Sequence, residues 1–240
     1  MPYCTFSDDR GRHVPAVDAS EMKEVDRVAI SDTGPNLFQM MENAGRNLAE
    51  LVIETFPSDW AERHIVVLAG TGGNGGGGVT AGRHLTNHGG RVTVVVTDEA
   101  RMGNVAKQQL AIYRAAGGAV ALKPPSEPGL VIDAVIGYSL SGAPRGRALE
   151  LIAYTYAHAT PVLSLDVPSG LNATTEETPG SVVQANATMT LALPKIGLCS
   201  SLAGDIVLAD IGIPALTYRK IGRPAAAAVF DGRYRVPLQR

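Results

Sequence analysis

The 240-residue sequence predicts an α/β domain whose mostly parallel sheet is covered by helices on both faces. From residue 64 onward, short apolar segments rich in β-branched residues alternate with segments that can form helices, a pattern typical of parallel sheets. Seven of the nine residues in 70–78 are glycine, and this stretch directly follows an apolar segment. Hydrophobic residues make up 45% of the chain, enough for a sizeable core. Without a repeat or a break in composition, we expect a single domain over residues 1–240.

Two helices are expected before the first strand. Residues 1–15 are polar and are expected to be loose. Asp18 and Glu21 have the spacing of a capping box, which predicts a helix that extends to about residue 30. Pro35 suits the first turn of a second helix that should end near residue 55. The apolar stripe of that helix comprises Leu37, Met40, Met41, Ala44, Leu48, Leu51 and Val52.

The remaining elements follow in alternation. Strands are predicted at 65–69, 91–96, 119–122, 130–137, 161–166, 188–193 and 206–209. Helices are predicted near 78–88, 103–116 and 146–158. Ligands of parallel sheets bind beyond the carboxyl ends of the strands, where the strand order reverses. The loops after three of these strands are therefore expected to gather at one edge.

The glycine-rich stretch predicts an anion site. Glycine lets the backbone approach a ligand closely, and the free N–H groups at a helix start favour a phosphate. We therefore expect a phosphorylated small molecule, and a nucleotide in particular. A flexible linker is the alternative, but a linker would not follow directly on a buried strand.

The same stretch matches a dinucleotide-binding fingerprint. Gly70, Gly72 and Gly75 have the required spacing, and Asp98 lies at the end of the next strand. Alone, this pattern indicates a nicotinamide dehydrogenase. The further glycines 76–78 weaken that interpretation, because they predict a longer loop and a helix that begins after it. A phosphate-binding lysine motif does not follow the loop either.

Two acidic residues interrupt or end apolar strands. Asp133 is either capped by nearby N–H groups or a cation ligand, because a buried carboxylate needs a partner. Asp166 precedes a Pro-Ser-Gly turn, and it either stabilises that turn or acts as a general acid and base. Ser169 can cap the turn or offer an oxygen to a metal. Lys195 either steadies a phosphate or is exposed without a role.

Composition excludes several classes of partner. The net charge is −2, which gives no electrostatic basis for binding nucleic acid or anionic lipid. No apolar run reaches the roughly 20 residues that span a bilayer, and the N-terminus lacks the apolar region of a signal peptide. We expect a cytoplasmic protein without membrane or nucleic-acid partners.

Several motifs follow one another in order. They are Glu21-Met22 through Asp26, Met41-Glu42-Asn43-Ala44-Gly45, the loop 70–78, Asp133 with 137–143, Asp166-Val167-Pro168-Ser169-Gly170, and Pro194-Lys195-Ile196-Gly197. In this order and spacing the sequence resembles the YjeF N-terminal domain family, the NAD(P)HX epimerases, over roughly residues 18–214. The resemblance implies a three-layer αβα Rossmann-like sandwich with a mostly parallel sheet, often dimeric through its N-terminal helices.

The resemblance also implies a chemistry. The substrate would be hydrated NADH or NADPH, whose R and S forms are interconverted, and a potassium ion would be the cofactor. The potassium ligands would be Asn74, Asp133 and Ser169, and Asp166 would be the catalytic residue in contact with the hydrated ring. Substrate phosphates and ribose would be held by Gly73, Asn74, Gly75, Gly76, Gly77, Gly137, Tyr138, Ser139, Leu140, Ser141, Gly142 and Ala143.

Three positions depart from the family motifs. The first loop asparagine of the family is Gly73 here, its loop aspartate is Gly77, and a later aspartate is Asn186. The loss of the loop aspartate removes an acceptor for ligand hydroxyl groups. A catalytically inactive nucleotide-binding or scaffold module of the same fold is therefore the alternative, and a dehydrogenase is a third possibility.

Overall fold

The computed structural model describes residues 5–240, and within them ten strands form a single sheet. The sheet order is β2-β1-β10-β9-β8-β7-β6-β3-β4-β5. The strands are β1 (Phe6–Asp8), β2 (His13–Val14), β3 (His64–Ala69), β4 (Arg91–Val96), β5 (Ala119–Val120), β6 (Leu130–Ala134), β7 (Val162–Leu165), β8 (Ala187–Leu191), β9 (Asp205–Ala209) and β10 (Arg235–Gln239).

The seven strands from β9 to β5 are parallel to their neighbours, whereas β10, β1 and β2 extend one edge in antiparallel fashion. The mostly parallel sheet is therefore confirmed. The expectation that 1–15 are loose is wrong for residues 5–15, because β1 pairs with both β2 and the C-terminal β10. Residues 1–4 lie outside the described residues.

Helices cover both faces of the sheet. They are α1 (Ala19–Val28), α2 (Leu37–Thr55), α3 (Gly73–Asn87), α4 (Asn104–Ala115), α5 (Gly146–Tyr156) and α6 (Ala215–Lys220). In β3, Ile65 and Val67 pack in one buried cluster with α2, α3 and α4. Val66 and Leu68 point to the other face and pack with α5, as the two-residue period of a strand requires. The predicted three-layer sandwich is confirmed.

The N-terminal helices begin at side-chain caps. Asp18 and Glu21 form the predicted capping box. The prediction for Pro35 is wrong, because α2 is capped by Asn36 and Pro35 precedes the cap. Asn36 accepts a hydrogen bond from the Gln39 backbone N–H, and the Gln39 side chain accepts one from Asn36. This pair satisfies the free donors of the first turn better than proline does.

The predicted start of α3 is also wrong, because the helix begins at Gly73, inside the glycine-rich stretch. Glycine is a poor helix former, yet here it permits close packing. A Cβ at Gly76 would lie 2.5 Å from Met41 Sδ, and one at Gly78 would lie 2.4 Å from Ala134 Cβ. Tertiary packing against α2 and β6 therefore overrides the low intrinsic propensity.

An ion-pair cluster joins α2 to α3 at the surface. Glu42 accepts hydrogen bonds from Arg83 and from His84 Nε2, the latter at 2.8 Å. Burial opposes ionisation of Glu42, but these two partners outweigh it and lower the pKa of the carboxyl. The cluster fixes the two helices at the end of the packed glycine surface.

The strand order reverses between β3 and β6. From β3 the chain proceeds through β4 and β5 to one side, whereas β6 leads through β7 and β8 to β9 on the other. The loops after β3 and β6 therefore diverge and leave a crevice, the usual ligand position in such sheets. Among the described residues, no helix is both long and apolar enough to cross a membrane.

Candidate active site

A cavity of about 540 Å³ lies at this reversal point. Its apolar wall comes largely from the N-terminal helices and includes Met22, Ile30, Leu37, Met40 and Met41. Its polar wall comes from the loops that follow the strands, from α1 and from the start of α3. It includes Asp26, Thr71, Asn74, Tyr138, Ser139, Asp166 and Lys195. A mostly apolar cavity with a few converging polar groups is the usual form of a small-molecule site.

Asp166 is the most constrained residue of the polar wall. Its φ is 70°, in the left-handed region that non-glycine residues seldom adopt and that strains the backbone. Its Oδ2 accepts a hydrogen bond of 2.8 Å from the Tyr138 backbone N–H, and its Oδ1 accepts one from Lys195 Nζ. The residue is 3% exposed, so the fold holds this carboxylate in one place at the cavity.

Lys195 is the counter-charge of Asp166. Its side chain is fully buried, and Nζ also donates to Leu191 O at 2.8 Å. The interpretation of Lys195 as an exposed residue is therefore wrong. Burial of the ammonium group requires a paired charge and further acceptors, and Asp166 and Leu191 supply them. Lys195 thus fixes the orientation of the Asp166 carboxylate at the cavity wall.

Gly137 brings Asn74 and Asp166 together. A Cβ at Gly137 would lie 2.8 Å from Asp166 Oδ2 and 3.3 Å from Asn74 Cγ. Both amide atoms of Asn74 are buried and, within the described residues, lack a hydrogen-bond partner. A buried amide without partners is costly, which indicates that Asn74 is placed for a ligand.

Asp133 and Ser169 form a closed hydrogen-bonded cluster one layer deeper, with no exposed surface on either residue. Asp133 accepts from the Ser169 hydroxyl at 2.5 Å, from Ser169 N at 2.8 Å and from Ser164 Oγ at 2.8 Å. Burial raises the pKa of Asp133, although these hydrogen bonds oppose the rise. The Ser169 hydroxyl also lies 3.2 Å from Ile136 O.

These donors are compatible with a monovalent cation. Asn74 offers an unused amide oxygen, and Asp133 and Ser169 offer a carboxylate and a hydroxyl, which are the oxygen ligands that hard cations prefer. The Ser169 hydroxyl group can donate its hydrogen bond to Ile136 O instead of Asp133, which leaves the Asp133 oxygen free to accept another partner. Among the described residues, no group of three His, Cys, Asp or Glu side chains is arranged for a metal.

The loop 137–143 forms a second cavity of about 330 Å³ next to the first. Ile136 and Ser139 line both cavities, and Leu140, Ser141, Gly142, Ala143 and Arg145 line the second. The polar loop and the proximity of the two cavities suit an extended ligand such as a dinucleotide.

The glycine-rich stretch contributes unevenly to the cavity. The residues of the stretch that line it are Thr71, Gly72, Gly73, Asn74 and Gly77. Gly75 is packed elsewhere, since a Cβ there would lie 1.9 Å from Gly70 O, and Gly76 packs on Met41. The cavity is thus lined by the residues just before α3 and by part of the start of that helix, rather than by the entire stretch.

Two departures from the family motifs have a local structural context. A Cβ at Gly77 would lie 3.0 Å from Leu165 Cδ2, so Leu165 occupies space that an aspartate side chain would need. Asn186 accepts a hydrogen bond of 2.8 Å from Val162 N through its side chain. It therefore ties the loop before β8 to the start of β7.

Sequence reasoning missed Asp26 as a residue of the cavity wall. Its Oδ2 accepts a hydrogen bond of 2.6 Å from the Tyr138 hydroxyl. Burial raises the pKa of Asp26, and burial together with the Asp26 charge raises that of Tyr138 far above its ordinary value. The sequence feature that could have indicated Asp26 is its spacing of four residues from Met22, which places both on the buried side of α1.

A family model described as YjeF-related protein N-terminus matches residues 37–197 of the chain. A protein of Dehalogenimonas lykanthroporepellens named NAD(P)H-hydrate epimerase is 44% identical over 236 residues, which cover 97% of this chain and 96% of the relative. A bifunctional NAD(P)H-hydrate repair enzyme of Moorella thermoacetica is 35% identical over 216 residues, covering 82% of this chain but 40% of the relative.

The fold also resembles a solved structure. The crystal structure of the yeast protein ynu0 superposes with a TM-score of 0.77 and covers 87% of this chain and 94% of the yeast chain. The sequence identity is 23%, so this likeness concerns the fold alone.

Proposed function

Because the chain belongs to the YjeF-related protein N-terminus family, we propose that it is an isomerase, an NAD(P)H-hydrate epimerase. It would interconvert the R and S forms of hydrated NADH and NADPH. The observation that carries the proposal is the Asp166 carboxylate, held in a left-handed conformation at the wall of a 540 Å³ cavity where the strand order reverses. The epimerase name of the relative that is 44% identical supports the same reaction.

Binding would use both cavities. The first N–H groups of α3 lack partners within the helix, and together with the helix dipole they favour phosphate oxygens. The loop 137–143 would hold the remaining phosphate and ribose groups in the second cavity. The hydrated nicotinamide ring would then lie between the apolar side chains of α1 and α2 and the Asp166 carboxylate.

The reacting carbon of the substrate bears a hydroxyl group and is bonded to the ring nitrogen. Protonation lets the hydroxyl group leave as water, with the positive charge delocalised onto that nitrogen. Water then adds to the same carbon from the other face and loses one proton, so that no atom is gained or lost overall. Asp166 would take part in this proton exchange, because each of its oxygens has a second lone pair beyond those used by Lys195 and Tyr138.

A potassium ion is part of the proposal. Asn74, Asp133 and Ser169 would hold it, and it would order the two loops and offset part of the phosphate charge. The supporting observation is the buried Asn74 amide, which lacks a partner among the described residues. The catalytic role of Asp166 does not depend on direct contact with this ion.

The alternative is an inactive nucleotide-binding or scaffold module. It is favoured by Gly77, which provides no acceptor for ligand hydroxyl groups and whose neighbouring space is filled by Leu165. Binding of hydrated nucleotide without turnover would support the alternative.

The proposal includes a homodimer in the cytoplasm. Ile30 and Leu37 on the N-terminal helices are 49% and 38% exposed and border the cavity. Such exposed apolar side chains suit a contact with a second copy. Light scattering in solution should give twice the mass of one chain, whereas the mass of a single chain would contradict the dimer.

The function is tested with purified protein and separated R and S hydrates. We expect chiral chromatography to show interconversion much faster than in buffer, with the excess rate lost in Asp166→Asn. Glu24→Gln, at an exposed position of α1 that pairs with Arg27, should retain the rate. Interconversion at the buffer rate with folded wild-type protein would contradict the proposal.

A further inference from the structure

We propose that Asp26 is a second proton-transfer residue, which works with Asp166 on the two faces of the substrate ring. This inference rests on the proposed epimerase function. Asp26 lies on α1 and Asp166 after β7, yet both line the same cavity. A reaction that removes a hydroxyl group from one face and adds water to the other needs proton exchange at both faces.

Tyr138 connects the two carboxyl groups. Its backbone N–H donates to Asp166 Oδ2 at 2.8 Å, and its hydroxyl donates to Asp26 Oδ2 at 2.6 Å. The length of one tyrosine residue therefore separates the carboxyl groups. The proposal places the flat ring of the substrate in the cavity that both residues line, with one carboxyl group near each face.

The two carboxyl groups have different surroundings. Asp166 is paired with the buried ammonium group of Lys195, whereas Asp26 has no ion pair among the described residues. The titratable and charged groups that act on Asp26 are Tyr138, Lys195 and Asp166, and the charge of Asp26 in turn acts on Tyr218 of α6. Carboxyl groups whose surroundings differ in this way commonly divide the roles of acid and base.

Lys195 lies near both carboxyl groups but pairs with one of them. Its Nζ lies 5.8 Å from the centre of the Tyr138 ring and forms an ion pair with Asp166, whereas its charge acts on Asp26 without an ion pair. Burial favours the protonated form of Asp26, and the Tyr138 hydrogen bond opposes it. Asp26 is thus suited to donate a proton while Asp166 accepts one.

The proton balance is complete with these two groups. In one direction, Asp26 gives its proton to the departing hydroxyl group, which leaves as water, and Asp166 takes a proton from the water that adds to the opposite face. The reverse direction exchanges the two roles. Each turnover leaves one carboxyl group protonated and the other ionised, and exchange with solvent restores the starting state.

The test compares Asp26→Asn with wild type and with Glu24→Gln, an exposed position on the same helix. We expect Asp26→Asn to lower kcat about 100-fold or more, the usual contribution of a general acid or base, with KM changed less than about threefold. The wild-type pH profile should be bell-shaped, and Asp26→Asn should lose the alkaline limb. Glu24→Gln should match wild type in both respects.

Tyr138→Phe provides a second test that leaves the Asp26 carboxyl group in place. Loss of the hydroxyl donor should raise the pKa of Asp26 and move the alkaline limb to higher pH. This variant decides the question if Asp26→Asn does not fold, as judged by circular dichroism.

Three results would overturn the inference: folded Asp26→Asn with near wild-type kcat, folded Asp26→Asn with an unchanged pH profile, or Tyr138→Phe with an unmoved alkaline limb. Wild-type protein that does not accelerate interconversion is a different outcome. It would remove the proposed function and this inference with it.

Discussion

Replacement of Lys195 by methionine tests the buried ion pair that positions Asp166. Lys195 has no exposed surface, and its ammonium group contacts the Asp166 carboxylate and Leu191 O. Methionine retains much of the length and apolar volume but removes the charge. Asp166 is 3% exposed and would remain as a buried charge without a partner. Removal of one partner from a buried pair costs about 3–5 kcal/mol, which is the loss of unfolding free energy that we expect.

Lys220→Met is the matched control. Lys220 pairs with Asp32 at 3.2 Å, but the two side chains are 43% and 33% exposed. Exposed pairs contribute about 0–1 kcal/mol. For a domain of this size, 1 kcal/mol corresponds to a change in Tm of about 2–4 °C. We therefore expect Lys195→Met to lower Tm by about 6–20 °C and Lys220→Met by less than about 4 °C.

Urea unfolding and thermal unfolding followed by circular dichroism measure both changes. The double variant Lys195→Met with Asp166→Asn should recover part of the stability, because it removes both charges rather than one. A Lys195→Met variant no less stable than Lys220→Met would refute the argument. So would a double variant whose loss equals the sum of the two single losses.

Three further predictions concern the cavity and the surface. Gly137→Ala should lower the epimerase rate at least about tenfold, because its methyl group would lie 2.8 Å from an Asp166 oxygen and 1 Å of misplacement can cost about 100-fold. Gly103→Ala, with its nearest contact at 3.9 Å, is the control. Equal rates of the two variants in a chromatographic assay would contradict this prediction. Potassium at about 100 times its Kd should raise the free energy of unfolding by about 2.7 kcal/mol relative to choline chloride, as measured by thermal unfolding. Asn74→Ala should abolish this stabilisation. Stabilisation that persists in the variant would exclude Asn74 as a ligand. The pKa of Glu42 is lowered from its ordinary value of 4.5, so the stability that it gives is present above that value and is lost as pH falls through the folded-state pKa. The difference in urea midpoint between wild type and Glu42→Gln should therefore shrink on acidification, and a constant difference would contradict the assignment.

The position of the site was predictable because it depends on strand order and on the loops after strands. The glycine-rich stretch, Asp133 and Asp166 each follow or end an apolar segment that periodicity identifies, and parallel strands bring such positions to one edge. Asn74 of that stretch and Asp166 lie on either side of the space beside Gly137, which agrees with that reasoning. Their roles in binding and catalysis stay predictions.

Other features depend on contacts that local sequence does not reveal. The early start of α3 at Gly73 arises from packing on Met41 and Ala134, against the low helix propensity of glycine. Strands β1 and β10 pair across more than 200 residues, and neither has a strong pattern of its own. The burial of Lys195 and the place of Asp26 in the cavity likewise follow from the docking of distant segments.

The most direct test of the central claim is isotope incorporation during epimerisation. Pure S hydrate is incubated with the protein in ¹⁸O-labelled water. The R product is separated by chiral chromatography, and its mass is measured by mass spectrometry. We predict that wild-type protein forms the R epimer far faster than buffer does, with one labelled oxygen in each new molecule, and that Asp166→Asn returns to the buffer rate. Formation of the R epimer at the buffer rate by folded wild-type protein, or rapid formation without label, would contradict the account.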